Sequence, residues 1–130
     1  GKGGAWSVHP IEHVVSAYYD ITHGVGLAVL TPAWMSYVLS DTTVSRFARF
    51  AREVFGVEEA DNRKAAELGI QRVREFNQSL GMPATLSEAG VPEDLFDEMA
   101  SEAVRTSGIA SRAYVKLDVS DVKQILISCR

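Results

Sequence analysis

The sequence predicts an all-α fold, a bundle of about six to eight helices around one core. Three observations lead there. Apolar residues return every three or four positions through successive segments, the spacing of one helix face. Helix-stopping glycines and prolines, and helix-capping Asp, Ser and Thr residues, stand between those segments. No stretch has the strict apolar–polar alternation of a half-buried strand, and no repeat or low-complexity run interrupts the pattern.

Gly1 to Ser7 reads as an irregular lead-in. Pro10 suits the first turn of a helix, where its missing N–H costs nothing. That helix should run to about Tyr18 and place Val14, Ala17 and Tyr18 on one side. Tyr19-Asp20-Ile21-Thr22 is poor helix-forming material and breaks it. A second helix then spans about Gly24 to Leu39. It is apolar all round, which marks it as core, and Pro32 should kink or divide it. Trp34, Tyr18 and Tyr19 read as core or pocket wall rather than as cofactor contacts.

Ser40-Asp41-Thr42-Thr43 is a cap-rich turn. Val44, Phe47, Ala48, Ala51, Val54 and Phe55 then recur at helical spacing, with Arg46, Arg49 and Arg52 opposite, and Gly56 ends the helix. The arginine row reads as a solvated face rather than a phosphate site. A fourth helix covers about Asp61 to Leu80 with Ala66, Ile70, Val73, Phe76 and Leu80 as its seam, and Gly81-Met82-Pro83 stops it. Leu86 to Gly90 is a short turn. Val91-Pro92-Glu93-Asp94 opens a fifth helix, with its acids at the positive end of the dipole. Leu95, Phe96, Met99, Ala100, Ala103 and Val104 form its core face, and Ser107-Gly108 closes it. Ile109 to Leu117 reads as a connecting loop or brief extended piece. Asp118 or Ser120 caps a last helix through Val122, Ile125 and Leu126.

The 130 residues predict one domain, 1–130, large enough to bury a core without disulfides. A net charge of −4 gives no reason to expect nucleic acid or an anionic membrane as a partner. The apolar run from Val25 to Leu39 is shorter than the roughly 20 residues a membrane span needs. Cys129 stands alone, so no disulfide framework is expected, and a reducing, cytoplasmic setting is the default.

All three histidines, His9, His13 and His23, fall within fifteen residues. His9 and His13 are four apart and share one helix face. His23 lies fourteen after His9, which on one unbroken helix is roughly 21 Å of axis. Two ligands of one tetrahedral metal, at about 2.0–2.1 Å each, sit within about 4 Å of one another. A shared metal therefore requires a chain reversal, which the 20–23 break can supply. Spacing alone does not decide between a metal site and three ordinary, satisfied histidines.

The stretch WSVHPIEH, followed by SAYYDITHGVGLAVLTPAWM, resembles the iron-containing alcohol dehydrogenase family, in its butanol-dehydrogenase-like branch. Trp6, the Glu12-His13 pair, Asp20-Ile21-Thr22-His23-Gly24 and Leu30-Thr31-Pro32 all fit that pattern. The resemblance implies an all-helical C-terminal domain of the dehydroquinate synthase-like type, in which His9 and His23 bind a divalent metal, Fe²⁺ or Zn²⁺. It implies that His13 is not a ligand but lies by the nicotinamide of NADH or NADPH, where it helps relay a proton. The family's other two ligands, an aspartate and a histidine four residues apart, come from upstream, as does its nucleotide-binding domain. Only eight residues precede His9, and the chain opens Gly1-Lys2-Gly3-Gly4. The expectation is the C-terminal domain of a longer, homodimeric enzyme acting on a small alcohol or aldehyde, inactive without its partner domain.

Two other readings compete. His9-Pro10-Ile11-Glu12-His13 satisfies H-x-x-E-H, the inverted zincin signature, in which two histidines hold zinc and the glutamate is general base. That pattern is short and leaves His23 unexplained. A non-catalytic helical interaction domain fits the all-α pattern but treats the histidine cluster as accident.

Overall fold

The computed structural model describes residues 8–107 and 116–130, with the side chains of His9 and Ser107 also outside the description. The expected lead-in, Trp6, Gly108 and most of the expected 109–117 connection fall outside these residues. Six α-helices carry the fold and no strand occurs among the described residues: α1 His9–Tyr19, α2 His23–Val38, α3 Val44–Phe55, α4 Asn62–Ser79, α5 Phe96–Ser107 and α6 Val119–Ser128. A single 3₁₀ turn, Glu93–Leu95, leads into α5. The all-α expectation holds.

The helix boundaries follow local chemistry. Pro10 lies in the first turn of α1, and Asp20 ends that helix in the left-handed region at φ 53°. Thr22 caps α2 by accepting from the Val25 N–H. Gly56, at φ 65°, ends α3, and the Asp61 carboxylate caps α4 through the Lys64 N–H. Asp118 and Asp121 form a reciprocal capping box at the start of α6, each accepting from the other's backbone N–H. Between α2 and α3 the buried Thr43 hydroxyl donates to the Val38 carbonyl at 2.8 Å, satisfying a helix-end acceptor.

Helix α2 is the centre, packing against α1, α4 and α6. Val29, Leu30, Ala33, Trp34, Met35 and Val38 are all buried, and Trp34 meets Phe47 edge-on with ring centroids 6.1 Å apart. α5 closes the core from α1 and α6 with Phe96, Met99, Ala100 and Ala103. A smaller apolar cluster of Ala48, Ala51, Val57 and Ala65 joins α3 to α4.

Four expectations are corrected. Pro32 does not divide α2, which runs unbroken from His23 to Val38. A proline removes the N–H that would serve the carbonyl four residues back, here Ala28. Asn77 replaces it, its Nδ2 donating to the Ala28 oxygen at 2.9 Å. Phe76 on α4 and Leu80, which caps its C-terminal end, are 56% and 58% exposed rather than on the seam. The inward line runs Ala66, Ile70, Val73, Asn77, a spacing of four, three and four; Phe76 stands one residue off it, and Leu80 follows the last helical residue, Ser79. On α1 the buried apolar residues are Ile11, Val14 and Val15, while Ala17 and Tyr18 face outward. On α3, Val54 is exposed, and Arg52 is not simply solvated. Its guanidinium donates to the carbonyls of Glu59 and Ala60 and to the Asn62 side chain, tying down the α3–α4 connection.

Candidate metal centre

The left-handed turn at Asp20 reverses the chain between α1 and α2. The result is a convergence that an unbroken helix forbids. His13 and His23, ten residues apart, would be separated by about 15 Å along one helix. Their ring centroids instead lie 5.9 Å apart, inclined at 66°. Both rings are exposed. The chain reversal that a shared site requires is therefore present.

Beneath the two rings lies Glu12. Its side chain is 1% exposed, against 54% for His23. Burying a carboxylate is costly unless its oxygens find hydrogen-bond donors. Both do: the Ser16 hydroxyl, one turn along α1, donates to Oε2, and His23 Nδ1 meets Oε1. Gly26, one turn into α2 from His23, makes room. A Cβ there would stand 2.6 Å from Glu12 Oε2 and 2.8 Å from Cγ. Donor atoms of Glu12, His13 and His23 all lie within 4.8 Å of one another.

The three histidines of the sequence are thus placed as follows. His13 and His23 are brought together. The backbone of His9 opens α1, one turn before His13, and its side chain lies outside the description. In the sequence Glu12 belongs to two motifs, neither of which predicts its burial, and Ser16 and Gly26 belong to no site motif. A signal existed: Glu12 sits between the core residues Ile11 and Val15 on one helix, and a glycine inside an otherwise apolar helix marks close approach.

The donor set suits a divalent ion. A histidine ligand commonly donates its second ring nitrogen to a carboxylate, which fixes the ring and raises its basicity. His23 with Glu12 has that arrangement. Mixed imidazole and carboxylate surroundings accept Fe²⁺ or Zn²⁺. A cleft of about 450 Å³ opens elsewhere, between Pro32, Asn77, Met82 and Cys129, and neither His13 nor His23 lines it.

Comparison with known proteins decides the family. The description of the C-terminal part of the Fe-containing alcohol dehydrogenase family matches residues 1–129. The chain belongs to that family. NADH-dependent butanol dehydrogenase A of Clostridium acetobutylicum is 45% identical over 126 residues, which are 96% of this chain and 32% of that protein. NAD-dependent methanol dehydrogenase of Bacillus methanolicus is 32% identical over 96% of this chain and 32% of its own length. The crystal structure of NADH-dependent butanol dehydrogenase A from Thermotoga maritima superposes with a TM-score of 0.83 at 32% identity, covering 99% of this chain and 33% of that one. The chain spans about a third of the length of the relatives it matches. Membership of the Fe-containing alcohol dehydrogenase family displaces the metallopeptidase reading. So does the geometry, since the glutamate of H-x-x-E-H is buried with both oxygens engaged and is not presented to a bound water. Among the described residues no helix is long and apolar enough to cross a membrane.

Proposed function

We propose that this chain is the metal-binding, C-terminal part of a metal-dependent, NAD(P)-linked alcohol dehydrogenase. The observation that carries the reading is the approach of His13 and His23 over the buried Glu12 carboxylate. In it His9 and His23 hold Fe²⁺ or Zn²⁺ together with an aspartate and a histidine from an N-terminal nucleotide-binding domain outside these 130 residues. The substrate is a small alcohol or aldehyde, the enzyme is a homodimer, and its setting is the cytoplasm.

When bound, the cation supplies Lewis-acid stabilisation of the alkoxide oxygen, and NAD(H) or NADP(H) carries the hydride. The residues of this chain supply the rest. His23 meets Glu12 through Nδ1, which leaves Nε2 as the nitrogen to hold the cation. His13, exposed beside it, takes the hydroxyl proton of the alcohol and passes it to water, and returns it in the reverse direction. The packing of α1 on α2 holds the two imidazoles in register, so the positioning is built into the bundle rather than into a loop.

The test uses the longer enzyme that contains this chain. Butanol-dependent reduction of NAD(P)⁺ should disappear on chelation and return with Fe²⁺ or Zn²⁺. His9→Ala and His23→Ala should abolish both metal retention and activity. His13→Ala should keep the metal and lose turnover. The isolated 130 residues should fold, bind metal weakly and show no dehydrogenase activity. Turnover by the isolated chain, or full activity after metal removal, refutes the reading.

A further inference from the structure

We propose that Glu12 is a positioning residue for this centre: its buried carboxylate holds the His23 ring in the Nδ1–H tautomer, so that Nε2 carries the lone pair offered to the cation. The proposal deepens the reading above and rests on it for the role of His23 as ligand.

Three features carry it. An ionised carboxylate only accepts hydrogen bonds, so a neutral imidazole meeting Glu12 Oε1 through Nδ1 must place its one proton on that nitrogen. The carboxylate cannot drift, because its other oxygen accepts from Ser16 and its Cγ and Oε2 rest on the backbone of Gly26. It is also shielded from water, with a side chain 1% exposed while the ring it grips is 54% exposed. Burial makes the ring's anchoring hydrogen bond stronger than it would be in water. Gly26 belongs to the same device. Any side chain there would occupy the seat of the carboxylate, so the Glu12–Gly26 pair acts as one unit across α1 and α2.

A carboxylate that merely pins two helices together would produce similar burial, so the test reads the ring itself. The chain is labelled with ¹⁵N-histidine and studied without metal at a pH where imidazoles are neutral. The wild-type His23 should show one tautomer, with the proton on Nδ1. Glu12→Ala should convert it to an exchanging mixture, and Gly26→Ala, which keeps every hydrogen-bonding group but fills the seat, should do the same. Glu12→Gln retains an amide oxygen that can accept from Nδ1–H and should restore most of the wild-type signal. Titration with Zn²⁺ alone should then show affinity lowered about 10–100-fold in Glu12→Ala, the loss typical of removing a ligand's carboxylate partner, with Glu12→Gln in between. If Glu12→Ala does not fold, Gly26→Ala and Glu12→Gln give the same readout. An unchanged tautomer in the Ala variants overturns the proposal. So does a mixed tautomer with unchanged Zn²⁺ affinity while His23→Ala abolishes binding, an outcome that leaves the metal reading standing. If His23→Ala leaves Zn²⁺ binding intact, the metal reading fails and the proposal with it, and the tautomer signal still separates that case from the others.

Discussion

Asn77 donates through its side-chain amide to the carbonyl of Ala28, the acceptor that Pro32 leaves without an N–H inside α2. One residue of α4 thereby repairs a defect in the central helix, 49 positions away in the chain. The bond is partly buried, and a carbonyl without a donor costs about 1–3 kcal/mol at full burial and less where water can reach it. Asn77→Ala should therefore destabilise the fold by about 1–2 kcal/mol by urea denaturation. In a Pro32→Ala background residue 32 regains its N–H, and the cost of Asn77→Ala should fall to less than half. Equal costs in both backgrounds would show that Asn77 acts through packing alone.

The close approach of α3 and α4 predicts a second effect. A Cβ on Gly69 of α4 would stand 2.6 Å from the Cβ of Ala51 and 3.2 Å from its Cα on α3. Both residues are buried. Replacing a helical glycine by alanine ordinarily stabilises by about 1 kcal/mol, but forcing a methyl into a filled interface costs about 1–3 kcal/mol. The clash is against backbone as well as side chain, so it should win. Gly69→Ala should lower the thermal midpoint, and adding Ala51→Gly should recover part of the loss. A rise in midpoint for Gly69→Ala alone would mean that the two helices can part without cost.

How much of this could be seen beforehand depends on the range of the interaction. Caps and stops are local, so Pro10, Gly56, Asp61 and Asp118 are readable at their positions. The histidine convergence is readable as a requirement, since helical rise keeps His13 and His23 apart unless the chain turns, and weak helix formers stand where it does. The Glu12 seat is readable only in its halves, a glutamate among core residues and a glycine inside an apolar helix. That the two meet depends on how α1 crosses α2, which no local pattern carries. The same holds for Asn77, whose polar side chain occupies an inward position where periodicity favours an apolar one. Phe76 and Leu80 mislead for the matching reason: both are apolar at nearly the right spacing, but Phe76 is one step off the seam and Leu80 lies past the helix end.

A pH prediction follows from the pair that links α2 to α6. The Tyr37 hydroxyl donates to Asp121 Oδ1 at 2.6 Å. That bond, with partial burial and the charges of Asp121 and Asp118, raises the Tyr37 pKa to about 12. For Asp121, burial disfavours ionisation, but the hydrogen bonds from Tyr37 and Asp118 outweigh it and lower its pKa. A raised tyrosine contributes stability below its unfolded value near 10 and loses it as pH climbs through about 12. A lowered aspartate contributes above its unfolded value near 3.9 and loses it as pH falls further. The stability gap between wild type and Tyr37→Phe should therefore be widest between about pH 5 and 9 and shrink at both extremes. A gap that stays constant from pH 3 to beyond about 12 would mean the hydroxyl contributes nothing through Asp121.

Cys129 provides a probe of the end of the bundle. Burial raises its thiol pKa to about 12, against the smaller opposing effects of a backbone hydrogen bond and the Arg74 charge. Its Sγ donates weakly to the Ile125 carbonyl at 3.4 Å, and its own carbonyl accepts from the Leu86 N–H at 2.7 Å. Only the thiolate attacks a disulfide reagent, and at pH 8 a thiol with a pKa about 12 is roughly one part in ten thousand ionised. Native protein should therefore label very slowly at that pH, and denatured protein at once. Leu86→Ala should open this end by removing a fully buried side chain from the turn that binds the Cys129 carbonyl. If α6 unravels locally, labelling in that variant should accelerate at low urea, well before the far-UV helical signal is lost. If labelling and helix loss instead coincide across the whole urea range, α6 unfolds only with the rest of the core and the bundle is one cooperative unit.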